Sequence, residues 1–300
     1  MTAALRAFVE AELARPVAEE VAVFAAELAK RGGPATTAVL FYGSGLRTGD
    51  LDGVLDFYVL AERPSAWLPP TVEYLELTVA GRRLRAKAAI LRPDQFRRLA
   101  GRAGLDISVW ARFAQPAALV WSRDAAAHAD AVESVVRAAA TAGWWAARLG
   151  PQAGPAAAFW NTLFSQTYAA DLRIEPKGRE RAILGGSDPR YAALLPLAWT
   201  AAGVAFEGEG PAGTLQPRLT EGERRRARAA WRLRRGLGKP LTVLRLAKAV
   251  FTFQGAADYA AWKIERHTGF KVEVTPWRRR FPLLAAPGLA WRLWRAGVLR

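Results

Sequence analysis

The chain has 300 residues, 51% hydrophobic and 23% charged, which is enough for one large domain or two ordinary ones and excludes a disordered chain. It has no cysteine and only two histidines, His128 and His267, so disulfides, thiolate sites, a cysteine nucleophile and a histidine-rich metal centre are excluded; any metal needs oxygen ligands, which favours magnesium or manganese. The net charge of +16 is uneven: residues 221–300 carry 19 Lys and Arg against 5 Asp and Glu, a net of +14 that leaves +2 for the first 220, and this asymmetry points to a polyanionic partner, nucleic acid or an anionic membrane.

In chain order, residues 2–30 carry Val17, Val21, Phe24 and Leu28 at helical spacing, Pro16 starts or kinks a helix, and Gly32-Gly33 stops it. The opening residues are interrupted by acids and lack the apolar core of a signal peptide. Thr37–Tyr42 reads as a strand running into the turn Gly43-Ser44-Gly45, and Val54–Leu60 as the next strand. A loop over 64–70 is followed by strands over Thr71–Val79 and Arg83–Leu91, turned at Ala80-Gly81. Pro93 opens a short helix with Phe96 and Leu99 inward, Leu105–Pro116 is helical, and Ala117–Trp121 is a short strand. A long Ala-rich helix over Ala125–Leu149 ends at a Gly/Pro cluster, Gly150 to Pro155, which is the expected domain boundary. Beyond it come a helix over Ala156–Arg173, mixed helix and loop over 185–240, a basic helix over Glu221–Arg235, and helices over Pro240–Phe253, Asp258–Thr268 and Pro282–Leu299. No stretch of about 20 apolar residues occurs; Tyr191–Phe206, broken by Pro196, reads as a core helix rather than a membrane span.

The chemistry concentrates around the Gly-Ser turn. Glycines let backbone N–H groups approach an anion, Ser44 adds a hydroxyl, and Arg47 can neutralise phosphate. Asp56 sits in the otherwise apolar run Val54-Leu55-Asp56-Phe57-Tyr58-Val59-Leu60, where an unpaired charge is costly, so it must meet water, a cation or a phosphate-bound metal. A Gly-Ser turn with an acidic strand close behind is the pattern of the nucleotidyltransferase fold, whose usual signature is Asp-x-Asp; Val54 stands at the first position here. Asp50 or Asp52 can substitute, or form a solvated turn. Glu73 and Glu76 fall on opposite faces of their strand, so at most one faces the site. Lys87 is either a phosphate ligand or a solvent-facing edge lysine. Arg112 suits bidentate phosphate binding, with an ion pair at a helix end as the plain alternative. Asp171 and Arg173 either pair with each other or complete a cleft from the second domain. Arg245 and Lys248 share a helix face. Trp277-Arg278-Arg279-Arg280 and Trp291-Arg292-Leu293-Trp294-Arg295 interleave aromatics with arginine, which suits an anionic membrane, RNA, or a solvated basic helix with core tryptophans.

Taken together, Tyr42-Gly43-Ser44-Gly45, Leu55-Asp56-Phe57, Gly81 to Lys87, Ala111 to Pro116, Tyr168 with Asp171-Leu172-Arg173, and Arg245 to Thr252 resemble, in order, the mitochondrial CDP-diacylglycerol synthases of the translocator-maintenance type, in a bacterial version. The match spans about residues 40–255, and the family also has a single aspartate on its second strand. The chain departs from the family in a shorter loop before Asp56 and in lacking a longer aromatic stretch before Gly81.

The resemblance implies an α+β chain: a nucleotidyltransferase-like mixed sheet with helices over 1–150, a mostly helical, winged-helix-like domain over 151–255, and a basic, aromatic, membrane-facing segment over 256–300. It implies a phosphatidate cytidylyltransferase, with CTP and phosphatidate as substrates and Mg2+ (or Mn2+) as cofactor, cytoplasmic and peripheral on the inner face of the cell membrane. Carried onto this sequence, Asp56, Lys87 and Asp171 are catalytic, Asp56 and Asp52 hold metal, and Gly43, Ser44, Gly45, Arg112 and Arg173 bind nucleotide. Arg245, Lys248, Trp277, Arg278, Arg279, Arg280, Trp291, Arg292, Trp294 and Arg295 meet lipid or phosphate. Two other readings stay open on the residues alone: nucleotidyl transfer to RNA, a protein or a small metabolite, and a non-catalytic nucleic-acid- or lipid-binding protein.

Overall fold

The computed structural model describes residues 2–62, 70–170, 189–208, 213–252, 255–268 and 272–280, with 288 and 291. Asp171, Arg173, Arg292, Trp294 and Arg295, and the expected helix over 282–299 apart from 288 and 291, lie outside the described residues, as do the side chains of Arg279 and Arg280.

The chain is mixed α+β. Helices α1 (Ala3–Leu13) and α2 (Glu19–Gly32) lead into β1 (Thr36–Tyr42), a one-turn helix α3 (Ser44–Thr48) and β2 (Val54–Ala61). Then come β3 (Thr71–Val79), β4 (Arg82–Leu91), α4 (Pro93–Leu99), α5 (Ser108–Phe113), β5 (Ala117–Ser122) and α6 (Ala125–Leu149). The later elements are α7 (Ala156–Ala170), α8 (Pro189–Ala202), a short β6 (Phe206–Glu207) and β7 (Gln216–Pro217) ladder, α9 (Glu221–Thr252), α10 (Ala256–Thr268) and α11 (Pro276–Arg280). The five long strands form one sheet in the order β3-β4-β2-β1-β5, parallel only between β2 and β4. The β3–β4 turn is at Ala80-Gly81 as expected; both residues have positive φ, 49° and 78°, as a two-residue hairpin requires.

Strand periodicity divides the sheet into two covered faces. One face carries Val39, Phe41, Leu55, Phe57, Ala86 and Ala88 and is covered by α2 through Val21, Phe24 and Leu28, with Phe24 stacked on Phe57 at 5.7 Å. Acidic residues in the first turn of α2 and Lys30 and Arg31 in its last match the helix dipole. The other face carries Leu40, Tyr58, Leu60, Ala89 and Leu91, and packs under α1, α4, α5 and α6. That second cluster continues across Gly150–Pro155 into α7, α8 and Trp231 of α9.

Helix α6 is capped by Asp124, which accepts from the Ala127 N–H at 2.8 Å, and at about 1.5 Å per residue it is about 37 Å long. It crosses α8 closely at Gly143, where an added Cβ would sit 2.6 Å from the Ala198 Cβ. Trp199 locks the crossing by donating its indole N–H to the Gly143 carbonyl at 2.9 Å. Two proline expectations change. Helix α8 runs through Pro196, and the two helices expected on either side of Pro240 are one helix, α9. A proline removes one ladder hydrogen bond but need not end a helix whose halves are both anchored. Here Ala227 and Trp231 are buried before Pro240, and Arg245 pairs with Asp106 after it.

Replacing Gly143 by Val should overpack the α6–α8 crossing. The expected loss is about 1–3 kcal/mol of unfolding free energy, read by denaturant titration. An unchanged midpoint would show that the helices can separate freely.

Candidate functional site

The sheet register aligns four polar or aromatic side chains in one row. Tyr42 of β1 lies opposite Asp56 of β2, Asp56 opposite Lys87 of β4, and Lys87 opposite Tyr74 of β3. Directly paired residues share a face, so the row lies on the side that carries Tyr58. Asp56 Oδ1 is 3.5 Å from Lys87 Nζ, and both side chains are half-buried. The carboxylate in the apolar strand thus has a cation beside it. Because β4 lies between β3 and β2, Lys87 is not an edge lysine.

The Gly-Ser turn rests on this row. Gly43 has φ 90°, which favours glycine, and a Cβ built on it would lie 3.0 Å from Asp56 Oδ2, close enough to press on the carboxylate. Ser44 begins α3, and a Cβ built on Gly45 would lie 3.2 Å from both the Leu55 and the Phe41 side chains.

The next row outward pairs Val54 with Arg85 and Arg85 with Glu76. Glu76 lies 3.5 Å from Arg85 and 3.6 Å from Arg83, and accepts the Tyr74 hydroxyl proton at 2.8 Å. Burial first, and then that hydrogen bond, push the Tyr74 phenol above its usual range. Glu73 points to the opposite face, beside Leu28 and Ala88, as the period-two reading expected.

On the inner side of the Asp56 row, Tyr58 lies two residues further along β2. Arg112 of α5 donates to the Tyr58 hydroxyl at 3.4 Å and to the Ser108 carbonyl at 3.1 Å. Asp106, just before α5, accepts from the Ser108 N–H at 2.8 Å and forms a two-nitrogen ion pair with Arg245 of α9. Burial alone would raise the Asp106 carboxyl, but the Arg245 guanidinium and the Ser108 bonds outweigh it and hold the group below the usual carboxylate range. Lys248 donates to the Pro70 carbonyl at 2.9 Å, at the start of β3. Burial, and then the Arg245 charge, draw its ammonium below the usual lysine range.

Helix α10 closes the outer side. Tyr259 packs on Tyr74 with ring centres 5.3 Å apart, and Arg85 lies over the Trp262 ring at 5.4 Å. Arg266 lies over the other side of the cluster, 5.3 Å from the Trp262 ring centre, and donates to the Asp52 carbonyl at 3.2 Å. These three α10 residues stand at i, i+3 and i+7, and Arg85 and Tyr74 stand two residues from Lys87 and Glu76. Those spacings are the signals that could have brought them into the site from sequence.

The structure therefore brings Gly43, Asp56, Lys87 and Arg112 to one face and ties Arg245 and Lys248 to its border. Asp52 is exposed and pairs with Arg82 at 2.6 Å, a hydrogen bond that lowers its carboxyl, while Asp50 accepts from the Asp52 N–H in a local turn. Trp277 and Trp291 are exposed, at 52% and 55%. Among the described residues no three His, Asp or Glu side chains cluster as a metal cage. A magnesium ion at this row would have one protein carboxylate, Asp56, and would take its remaining ligands from phosphate oxygens and water. Among the described residues no helix is long and apolar enough to cross a membrane. No family model matches the sequence, and no curated protein matches it.

Breaking the Asp106–Arg245 pair should loosen α9 from the sheet body. Asp106→Asn is expected to cost about 3 kcal/mol at neutral pH, because it leaves the guanidinium half-paired. Since the folded-state carboxyl is lowered, its contribution is fully present above the unfolded value of about 3.9 and is lost as pH falls through the folded value. Denaturant unfolding against pH should therefore show the wild type converging on the variant in acid. A constant gap down to pH 2 would contradict the pairing.

Proposed function

We propose that the chain is a magnesium-dependent nucleotidyltransferase of the phosphatidate cytidylyltransferase kind, converting CTP and phosphatidate to CDP-diacylglycerol and pyrophosphate. The observation that carries the reading is the contact between the glycine turn and the strand carboxylate: Gly43 lies directly over Asp56, with Lys87 3.5 Å away. A mixed sheet with this turn after its first strand and a lone aspartate on its second supports a nucleotidyltransferase-like fold. The helical half with its short β6–β7 ladder is consistent with a winged-helix-like second domain.

In this reading, the N–H groups of the Gly43–Gly45 turn and the Ser44 hydroxyl hold the triphosphate. Magnesium bound at Asp56 supplies neutralisation of the triphosphate and of the departing pyrophosphate. Lys87 leaves Asp56 for a phosphate oxygen, which the loose 3.5 Å separation and half-exposed ammonium favour. Arg112, held by the Tyr58 hydroxyl and the Ser108 carbonyl, is the second cation of this reading, a planar fork for a phosphate oxygen. A phosphatidate oxygen attacks the α-phosphorus, the bond from that phosphorus to the bridging oxygen breaks, and pyrophosphate leaves. A dianionic phosphate needs no general base. Arg245 and Lys248 border the acceptor side, and the exposed Trp277 and Trp291 suit a headgroup-level contact with an anionic bilayer.

The test is pyrophosphate release with phosphatidate vesicles and each of the four NTPs, with and without magnesium. CTP-specific, phosphatidate-dependent release is expected, reduced about 100-fold or more by Asp56→Asn. Release with soluble acceptors alone would move the reading to another acceptor, and no release with any nucleotide would overturn it.

Gly43→Ala gives a second, independent check. Its Cβ would press on Asp56 in a backbone region that L-residues avoid. Turnover should fall at least tenfold while the far-ultraviolet circular dichroism is retained. Full activity would remove the turn from the site.

A further inference from the structure

A cationic concavity lies away from the Asp56 row. Helix α4 turns Phe96 onto Tyr58 and Phe113, with ring centres 5.9 and 4.8 Å away, and its exposed Arg97 and Arg98 lie outside that packing. Between α4, the turn after it, α6 and α8 is a groove of about 530 Å3. Four arginines line it, Arg97, Arg98, Arg102 and Arg137, against one carboxylate, Asp94. That carboxylate is held by Arg92, through bonds of 2.7 and 2.8 Å, and Arg97 is paired with Asp130. Among the described residues, no carboxylate pairs with Arg98, Arg102 or Arg137. Three guanidinium groups facing one concavity repel one another, and a concave wall concentrates their field.

Two of these arginines are also held. Arg102 lies over the Trp144 ring at 5.3 Å, and its carbonyl accepts from the buried Arg234 at 2.9 Å, which fixes the turn. The stem of Arg137 runs against Gly101, with its Cδ 3.7 Å from where a Cβ would stand. The floor is made of small side chains, Ala140, Thr141 and Ala201, which leave room for a compact organic body beneath a charged head. Planar guanidinium forks converging on one point are the usual protein answer to a phosphate dianion.

We propose that this groove is a binding site for a phosphate monoester, separate from the Asp56 row, with Arg98, Arg102 and Arg137 as its ligands. The groove's volume is that of an ordinary small-molecule site and exceeds what inorganic phosphate needs. The head can belong to a soluble ester or to a lipid, because both present the same dianion.

Isothermal titration of the full chain with glycerol 3-phosphate, at constant ionic strength set with chloride, tests the site. Binding is expected to be saturable and weakened at least tenfold in Arg98→Gln/Arg137→Gln, and unchanged in Arg225→Gln/Arg226→Gln, two exposed arginines of α9 outside the groove. Arg98 and Arg137 are exposed, so their double variant should fold; either single variant should still weaken binding at least threefold. Flotation with phosphatidate vesicles separates the sources: a defect of the double variant there assigns a lipid headgroup, and normal flotation with lost glycerol 3-phosphate binding assigns a soluble ester. The proposal is overturned if glycerol 3-phosphate does not bind, or if Lys87→Ala abolishes binding and the Arg98 and Arg137 variants do not. Because Lys87→Ala separates the two sites, failure here leaves the cytidylyltransferase reading standing.

Discussion

The parallel pairing of β2 with β4 is the constraint on which the site depends. In this sheet the chain leaves β2, lays β3 at the edge, and turns back so that β4 enters between them. Any slip by one residue would send Lys87 to the face that α2 covers and leave Asp56 in an apolar environment without its cation. The register is secured on that face by Leu84, Ala86 and Ala88, which are all buried, so packing on one side of the sheet fixes charge pairing on the other. Gly43 then adds a second constraint, because a side chain at this positive-φ position would press on the Asp56 carboxylate.

The excess positive charge of the last 80 residues is partly structural. Arg224 donates to the Gly150 and Pro151 carbonyls and so satisfies the C-terminal end of α6, where a cation is favourable. Arg234 is buried, lies over Trp145 and holds the turn after α4. Arg245 pairs with Asp106, and Arg266 reaches the Asp52 carbonyl across Trp262. Each joins α9 or α10 to an earlier part of the chain through a planar group that can both stack and donate. Counting all of these as available to a polyanion would overstate the surface field. The charge asymmetry remains a reason to look for an anionic partner, and Arg225, Arg226, Arg232 and Arg235 are exposed on α9.

Local patterns carried most of the fold into the sequence reading. The five strands, the Ala80-Gly81 turn and the long α6 were legible because apolar alternation and glycine punctuation are short-range signals. The central pair of the site was half legible. Asp56 stood out as a charge in an apolar run, but its partner Lys87 depended on strand order, which no local pattern fixes. For the same reason β4 read equally well as an edge strand. The continuity of α9 through Pro240 was hidden because propensity argues for a break, while the anchors on either side are tertiary. Asp52 is the instructive case: its place two residues before Val54 suggested a second metal carboxylate, yet the β3–β4 hairpin brings Arg82 to it. The α10 wall was invisible as a site because Tyr259, Trp262 and Arg266 fall inside the expected helix over Asp258–Thr268, where nothing local marks them as facing the sheet.

The aromatic layer of Tyr42, Tyr58, Phe96 and Phe113 gives the molecule its remaining division. Ring contacts between 4.8 and 5.9 Å connect all four, so they form one dry partition rather than isolated pairs. On one side Arg112 reaches the Tyr58 hydroxyl beside the Asp56 row; on the other lie the exposed arginines of α4 and α6. A water-filled passage between two such cationic regions would let them act as one diffuse field. The packed rings instead stand between the arginine-lined groove and the Asp56 row. Since Phe96 and Arg98 are on the same short helix, a movement of α4 against the sheet would be felt on both sides, and close packing at Phe96 makes that a cooperative shift rather than a local side-chain adjustment.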